Sequence, residues 1–87
     1  MYFHAGQDFV LNSRDVVGIF DLDTAGASRR TQDYFRHMEA EGAVVDLCGP
    51  GGLPKSFTVT DFPTETLYLS QLSPAALKKR AEGSDLK

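Results

Sequence analysis

The chain has 87 residues, of which 41% are hydrophobic and 24% are charged, and its formal net charge at pH 7 is −3. This length predicts one domain with a modest core, which buries about 60–65% of the surface that the unfolded chain exposes. Stability from one subunit is then limited, which favours a homo-oligomer. The acidic balance argues against a general nucleic-acid coat, although it is compatible with one basic face.

Cysteine usage and the start of the chain both bear on localisation. Cys48 is the single cysteine of the sequence, so it forms no internal disulfide and has no partner cysteine for a metal site. The opening MYFHAGQD lacks the cationic segment and long apolar run of a signal peptide. No stretch approaches the roughly 20 apolar residues that cross a bilayer. These features predict a cytoplasmic protein with no membrane partner.

The first part of the chain is predicted to consist of short strands separated by turns. Residues 2–5 and 9–11 have the composition of strands, and turn residues follow them at 6–8 and 12–15. Residues 16–22 are almost wholly apolar and rich in β-branched side chains. That composition predicts a central strand covered on both faces.

A helix and a further strand are predicted in the middle of the chain. Small residues at 23–27 indicate a loop, and Ser28 is the predicted N-cap of a helix that runs to about residue 41. Gly42 is placed to end this helix, and residues 43–47 are predicted to form a strand. Three residues at helical spacing are expected to face the sheet: Thr31, Phe35 and Met38.

Two alternating segments follow a flexible loop at residues 49–54, GPGGLP. Residues 56–60 and 67–70 are predicted to be strands, because apolar and polar side chains alternate along them. Their inward side chains are expected to be Phe57, Val59, Leu67 and Leu69.

The last helix is the best-specified element. Ser73 is the predicted N-cap, Pro74 occupies the first helical position, and Leu72 and Leu77 form a hydrophobic staple. Three cations stand in the later turns, where the helix dipole favours them: Lys78, Lys79 and Arg80. The elements together predict an α+β fold with a small, mostly antiparallel β-sheet and two helices in one domain. The domain is expected to cover residues 1–83, and residues 84–87 are expected to form a frayed tail.

One short segment has the appearance of a catalytic motif. The sequence FDLDT, with Asp21 and Asp23, resembles the nucleophile motif of haloacid-dehalogenase-like phosphatases, in which the first aspartate attacks phosphorus. That family's threonine would stand where this chain has Ala25, and the chain is too short for the doubly wound domain of such enzymes. Solvent-facing acids at a strand end are the preferred interpretation, and the protein is predicted not to be an enzyme.

Metal, cofactor and phosphate-loop sites are not indicated either. His4 and His37 belong to no ligand pattern, and with Cys48 they would meet only through tertiary structure. The loop GPGGLPK lacks P-loop spacing, and its two prolines remove amide donors that a phosphate cradle would use. No cofactor and no small-molecule substrate are therefore predicted.

Clustered cations are the remaining candidates for function. They stand at two turns, on the first helix and on the last helix: Arg14 and Lys55, then Arg29, Arg30 and Arg36, then Lys78, Lys79 and Arg80. Such groups contact DNA phosphates and release counterions. The alternative is that they are solvated side chains on exposed helix faces. The predicted DNA-binding residues are Arg14, Lys55, Arg29 and Arg30.

Five segments, in order and at matching spacing, resemble the small bacterial extracellular matrix regulator family. They are MYFHAGQDFVL, DVVGIFDLDT, SRRTQDYF, EGAVVDL, and PKSFTVT followed by LYLSQLSPAALKKR. The resemblance covers residues 1–81 and is to the RemB-type branch, which is related to RemA.

This resemblance implies a cytoplasmic, non-enzymatic DNA-binding regulator of biofilm-matrix genes. RemA-type relatives assemble as rings of identical subunits, so a homo-oligomer such as a ring is expected. RemA-type proteins carry an arginine-rich run before the strand that matches residues 57–60, where this chain has GGLPK. Arg14 matches a basic position of that family after the second strand, and Lys55 is the one basic residue in GGLPK. The resemblance therefore implies RemA-like DNA contacts only at Arg14 and, more loosely, at Lys55.

The sequence is also compatible with a second function. The net acidity and the missing arginine run favour an oligomeric protein-interaction adaptor with no direct DNA binding. The leading prediction is a homo-oligomeric transcriptional regulator that contacts phosphates of double-stranded DNA.

Overall fold

A computed structural model describes residues 2–6 and 9–84, and within them the chain forms six strands and three helices. The strands are β1 (Tyr2–Gly6), β2 (Phe9–Asn12), β3 (Val16–Asp21), β4 (Val44–Asp46), β5 (Ser56–Thr60) and β6 (Thr66–Ser70). The helices are α1 (Leu22–Ala25), α2 (Arg29–Ala40) and α3 (Pro74–Lys79), with a 3₁₀ turn at Ser13–Asp15 and a π-helical turn at Arg80–Ser84. The predicted α+β class is confirmed. The predicted turn at 6–8 falls largely on residues 7 and 8, outside the described residues.

Strands β3 to β6 form one four-stranded sheet, and β1 and β2 form a separate antiparallel hairpin. The order in the large sheet is β3-β5-β6-β4. Strands β3, β5 and β6 pair antiparallel, whereas β4 pairs parallel to β6. The sheet is mostly antiparallel, as predicted.

Strand β5 lies in the interior of the sheet and is buried on both faces. All five of its residues are buried, although the alternation predicted that only Phe57 and Val59 would be. The hydroxyl of Ser56 donates a hydrogen bond to the carbonyl of Leu72 at 2.7 Å, which satisfies one of the buried polar groups. Serine and threonine thus occupy a face that the sequence pattern assigns to solvent.

Two apolar cores lie on opposite faces of the sheet. One contains Met38, Phe57, Val59 and Leu67 and is covered by the helices α1 and α2. The other lies beneath the hairpin and α3, and its buried members are Phe3, Ala5, Leu11, Leu47 and Leu77. The hairpin is fixed to the sheet by the Ser70 hydroxyl, which donates a buried hydrogen bond to the Ala5 carbonyl at 2.8 Å.

Strand β3 is an edge strand, so the prediction of a central strand covered on both faces is wrong. Val17 is 63% exposed and Phe20 is 40% exposed. A β-bulge between Val16 and Gly18 displaces Val17 from the regular alternation. The Phe20 ring stacks on Phe57 at 5.0 Å and lies over Gly18, where a Cβ would come within 2.5 Å of that ring. The apolar residues 16–20 therefore belong to an exposed edge strand. The Phe20 ring is only partly exposed there, because it packs over Gly18 of the same strand.

Residues 23–25 of the segment predicted as a loop at 23–27 belong to helix α1, so the loop prediction is wrong there. Asp21 caps this helix, since its carboxylate accepts a hydrogen bond from the Asp23 amide at 2.8 Å. Helix α2 begins directly after Ser28, as predicted, and Gly42 follows it with φ of +69°. Met38 is buried against the sheet, which confirms the predicted orientation of this helix.

Helix α3 confirms its predicted start. The Ser73 hydroxyl accepts a hydrogen bond from the Ala76 amide at 3.2 Å, and Pro74 occupies the first helical position. The chain continues past Lys79 into the π-helical turn, which contains Ser84. Residues 85–87 of the predicted tail lie outside the described residues. Among the helices that the structure describes, none is long and apolar enough to cross a membrane.

The two predicted N-cap serines differ, and this difference is testable. Ser73→Ala is expected to lower the free energy of unfolding by about 1 kcal/mol, because it removes a side-chain cap. Ser28→Ala is the matched control, since the Ser28 side chain makes no capping hydrogen bond. Its effect is expected to stay within about 0.5 kcal/mol. Equal losses in urea denaturation of the two variants would contradict this assignment.

Candidate functional site

Arg14 lies on a short, well-defined turn between β2 and β3. Its backbone amide donates a hydrogen bond to the Asn12 side chain at 3.0 Å, and the next residue, Asp15, accepts a hydrogen bond from the Asp61 amide at 3.0 Å through its carbonyl. The Arg14 side chain is exposed. The turn therefore presents a guanidinium to solvent from a backbone that is held on both sides.

Arg14 also borders a cleft of 510 Å³ between the hairpin and the large sheet, which we call the hairpin cleft. Aromatic side chains line much of it, and the ring of Phe9 contacts that of Tyr68 at 5.3 Å. Thr60, at the end of β5, lines the same cleft. Sequence patterns did not indicate this site, because it is built by packing the hairpin onto β5 and β6.

Lys55 lies at the other end of β5. Its amide donates a hydrogen bond to the Ser70 carbonyl at 2.8 Å, and its own carbonyl accepts one from the Leu22 amide at 3.0 Å. About 13 Å of strand separates this end of β5 from Thr60, at about 3.3 Å per residue. The fold therefore does not bring Arg14 and Lys55 together within one subunit, although both side chains are exposed.

Arg29 and Arg30 form the first two positions of α2, and both are exposed. The first turn of this helix contains no acidic residue. Cations at this end oppose the helix dipole, so they contribute no stability there. The amides of a helix N-terminus and two guanidinium groups are both suited to binding phosphate.

A second, mainly apolar groove of 320 Å³ lies between α2 and the β3 edge. Val17 and Phe20 line one side, and Arg30 and Tyr34 line the other. The Tyr34 hydroxyl donates a hydrogen bond to the Glu65 carboxylate. Burial, then this hydrogen bond, then the charge of Glu65 raise the pKa of Tyr34 to about 12 from its usual 10.0.

The raised pKa of Tyr34 predicts a loss of stability at alkaline pH. Above pH 10 the unfolded chain ionises Tyr34 while the folded chain keeps it protonated up to about pH 12, so rising pH favours unfolding. Tyr34→Phe is expected to give a shallower fall in the free energy of unfolding across this pH range, measured by urea denaturation. Glu65→Gln is expected to change the slope only in part, because burial is the largest cause. A wild-type slope in Tyr34→Phe would contradict the assignment.

The remaining candidate residues from the sequence make contacts within the fold. Asp21 caps α1, and the Arg80 guanidinium donates a hydrogen bond to the His4 carbonyl at 3.2 Å. Burial, followed by the hydrogen bond and charge of Asp46, raises the pKa of the Cys48 thiol, which disfavours the thiolate. Within the described part of the chain, no group of three or more His, Cys, Asp or Glu side chains is arranged to hold a metal ion.

Comparison with an individual known protein, and not with a family profile, assigns the chain to a family. No protein-family profile matches the chain. The chain is 40% identical over 82 residues to "Extracellular matrix regulatory protein B" of Bacillus subtilis (strain 168). The alignment covers 94% of this chain and 91% of that relative. Similarity at this level over almost the full length of both proteins shows that the chain belongs to the extracellular matrix regulatory protein B family.

Proposed function

We propose that this protein is a cytoplasmic, non-enzymatic regulator of extracellular matrix genes that acts as a homo-oligomer and contacts the phosphates of double-stranded DNA. The observation that carries the regulatory role is the 40% identity to a protein named as a matrix regulator, over 94% of the chain. The proposed DNA contacts are Arg14, Lys55, Arg29 and Arg30.

The positions of these cations support phosphate contact. Arg14 and Lys55 are exposed on backbone segments that hydrogen bonds hold in place. Because these backbone segments are already ordered, only the side chains lose conformational freedom when they bind a phosphate. Phosphate contacts of this kind orient a protein on a duplex and account for most of its salt dependence.

The net charge and the edge strand β3 support the proposal of a homo-oligomer. One subunit with a net charge of −3 and cations at opposite ends of β5 gives a weak electrostatic site. Repetition of that site in an assembly increases affinity, because several subunits contact one duplex at once. The open edge of β3, with Val17 at 63% exposure and Phe20 at 40%, is the surface proposed for contact between copies.

A fluorescence-anisotropy titration of a labelled duplex at increasing salt concentrations tests this function. We expect binding at low salt that weakens steeply as salt rises, because counterions are released from the phosphates. An oligomer that leaves the duplex unbound at low salt would favour the protein-interaction adaptor. That alternative is supported by the acidic net charge and by Lys55 being the one cation in residues 49–55.

A further inference from the structure

The loop at residues 49–54 and the hairpin cleft lie at opposite ends of β5. The loop leads into the strand at Ser56, whereas Thr60, at the other end, lines the cleft. Pairing with β6 holds both ends of the strand in the sheet, and about 13 Å of strand separates them. The loop of one subunit is therefore kept away from the cleft of the same subunit. A second copy, displaced along the strand direction, can bring its loop to that cleft.

The loop presents apolar side chains to solvent. Leu53 is 80% exposed, the largest value among the exposed large hydrophobic residues that the structure describes. Pro50 and Pro54 of the same loop are exposed as well. The Gly52 amide donates a hydrogen bond to the Gly49 carbonyl at 2.8 Å, which closes a turn within the loop. The loop is thus a defined apolar protrusion.

The hairpin cleft is the concave surface of matching chemistry. Tyr2 and Phe62 line it at 58% and 68% exposure, together with Phe9 and Tyr68. Aromatic-lined grooves bind proline-containing segments in several classes of recognition domain. The cleft volume of 510 Å³ lies in the range of sites that enclose small ligands, about 300–1,000 Å³, so it has room for a leucine and a proline side chain.

The charges beside the two surfaces are complementary. Asp15 lines the cleft, and Lys55 directly follows the loop and is exposed. When the loop of one copy occupies the cleft of the next copy, opposite charges come together at the rim of the contact. An exposed ion pair contributes little affinity. The apolar side chains therefore drive the association, and the rim charges favour its orientation.

We propose that copies of this protein associate head to tail, with the loop at residues 49–54 of one copy in the hairpin cleft of the next copy. Two different surfaces meet in this contact, so each copy keeps one free surface for a further copy. This contact is additional to the open edge of β3, and it requires no DNA.

The head-to-tail contact also brings together the two cations that one subunit holds apart. Arg14 lines the cleft, and Lys55 follows the loop. Lys55 of one copy therefore lies near Arg14 of the next copy, and each junction becomes one composite phosphate site. This composite site rests on the proposed DNA contact, and it explains why an assembly binds a duplex better than a single subunit does.

Light scattering coupled to size-exclusion chromatography tests the contact with Leu53→Asp, Phe62→Asp and their equimolar mixture. Each variant is expected to associate at least about tenfold more weakly than the wild type, because the contact buries an unpaired carboxylate. The mixture is expected to have a larger mass than either variant alone, since the intact cleft of Leu53→Asp accepts the intact loop of Phe62→Asp. Tyr2→Asp is a second cleft variant and is expected to behave as Phe62→Asp does.

The matched control is Lys79→Gln, because Lys79 is exposed on α3 and lies outside both surfaces. This control and each aspartate variant have a net charge of −4, one unit below the wild-type −3. The control is expected to keep the wild-type mass. A monomeric wild type, a wild-type mass in Leu53→Asp or in both cleft variants, or a mixture no larger than its components would overturn the contact.

A duplex titration of Leu53→Asp separates this contact from the DNA-binding proposal. The variant retains Arg14 and Lys55, yet its duplex binding is expected to fall at least about tenfold, because the junctions are lost. A mixture that regains mass, beside a wild-type oligomer that leaves the duplex unbound, would support the contact and contradict DNA binding. A wild type that binds the duplex as a monomer would contradict the contact and support DNA binding.

Discussion

Reversal of two charges, in the variant Arg14→Glu with Lys55→Glu, is expected to abolish measurable duplex binding at low salt. Each replacement removes a proposed phosphate contact, worth roughly 1.5–3 kcal/mol for a charged hydrogen bond, and adds a repelling carboxylate. Repetition of the loss in every subunit of an oligomer multiplies the effect. The measurement is the anisotropy titration of a labelled duplex.

The matched control is Arg36→Glu with Lys78→Glu. Every reversal subtracts two charges, so each double variant has a net charge of −7 from the wild-type −3. Arg36 is exposed and forms an ion pair with Asp33 at 3.7 Å, and Lys78 is exposed on α3. This control is expected to retain most of the affinity. If both double variants lose binding equally, net charge alone governs it and the assignment to Arg14 and Lys55 is wrong.

Phe57→Ala is expected to cost about 3–5 kcal/mol of stability, which is the range for truncation of a buried phenylalanine. Phe57 is 4% exposed on the interior strand β5. The centroid of its ring lies 5.0 Å from that of Phe20 and 4.9 Å from that of Phe35. A domain of this size has a total stability of roughly 4–13 kcal/mol. Urea denaturation followed by circular dichroism is therefore expected to show a partly or wholly unfolded variant.

Leu53→Ala is the control for loss of an apolar side chain, because Leu53 is 80% exposed in the loop before β5. Its effect is expected to be within about 0.5 kcal/mol. A Phe57→Ala variant as stable as Leu53→Ala would contradict the two-core architecture, in which α2 packs against this strand.

Two local features of the fold were predictable from the sequence. The start of α3 follows from Ser73 and Pro74, and the end of α2 follows from Gly42, whose φ of +69° suits glycine. These features depend on a few neighbouring residues, and chain-local chemistry determines them. The side-chain cap at Ser73 and its absence at Ser28 mark the limit of such rules, because capping geometry depends on the surrounding backbone.

The positions of the strands in the sheet were less predictable. Composition favours residues 16–22 over residues 56–60 as the interior strand, yet β5 takes the interior and β3 the edge. The serine and threonine residues of β5 make its sequence resemble that of a half-exposed strand. They are nevertheless buried, and the Ser56 hydroxyl donates a hydrogen bond to the Leu72 carbonyl, which is distant in the chain. Strand order depends on contacts between segments far apart in the chain, which single-residue patterns do not encode.

The candidate sites were likewise predictable only in part. Arg14 and Lys55 were identified from the sequence as cations at turns, but their separation along β5 follows from the antiparallel register. Arg80 was predicted as one of three cations in the later turns of the last helix, but it follows α3, and its guanidinium donates a hydrogen bond to the His4 carbonyl of the hairpin. The hairpin cleft was not predicted, because Tyr2 and Thr60 meet there only after the hairpin packs on the sheet.

Native mass spectrometry of the protein with a short duplex, at low ionic strength, tests the central claim most directly. The account predicts a homo-oligomer in the absence of DNA and a complex in which several identical subunits share one duplex. It also predicts that the complex is lost in Arg14→Glu with Lys55→Glu while the oligomer persists. A monomer under both conditions, or an intact oligomer that leaves the duplex free, would contradict the account.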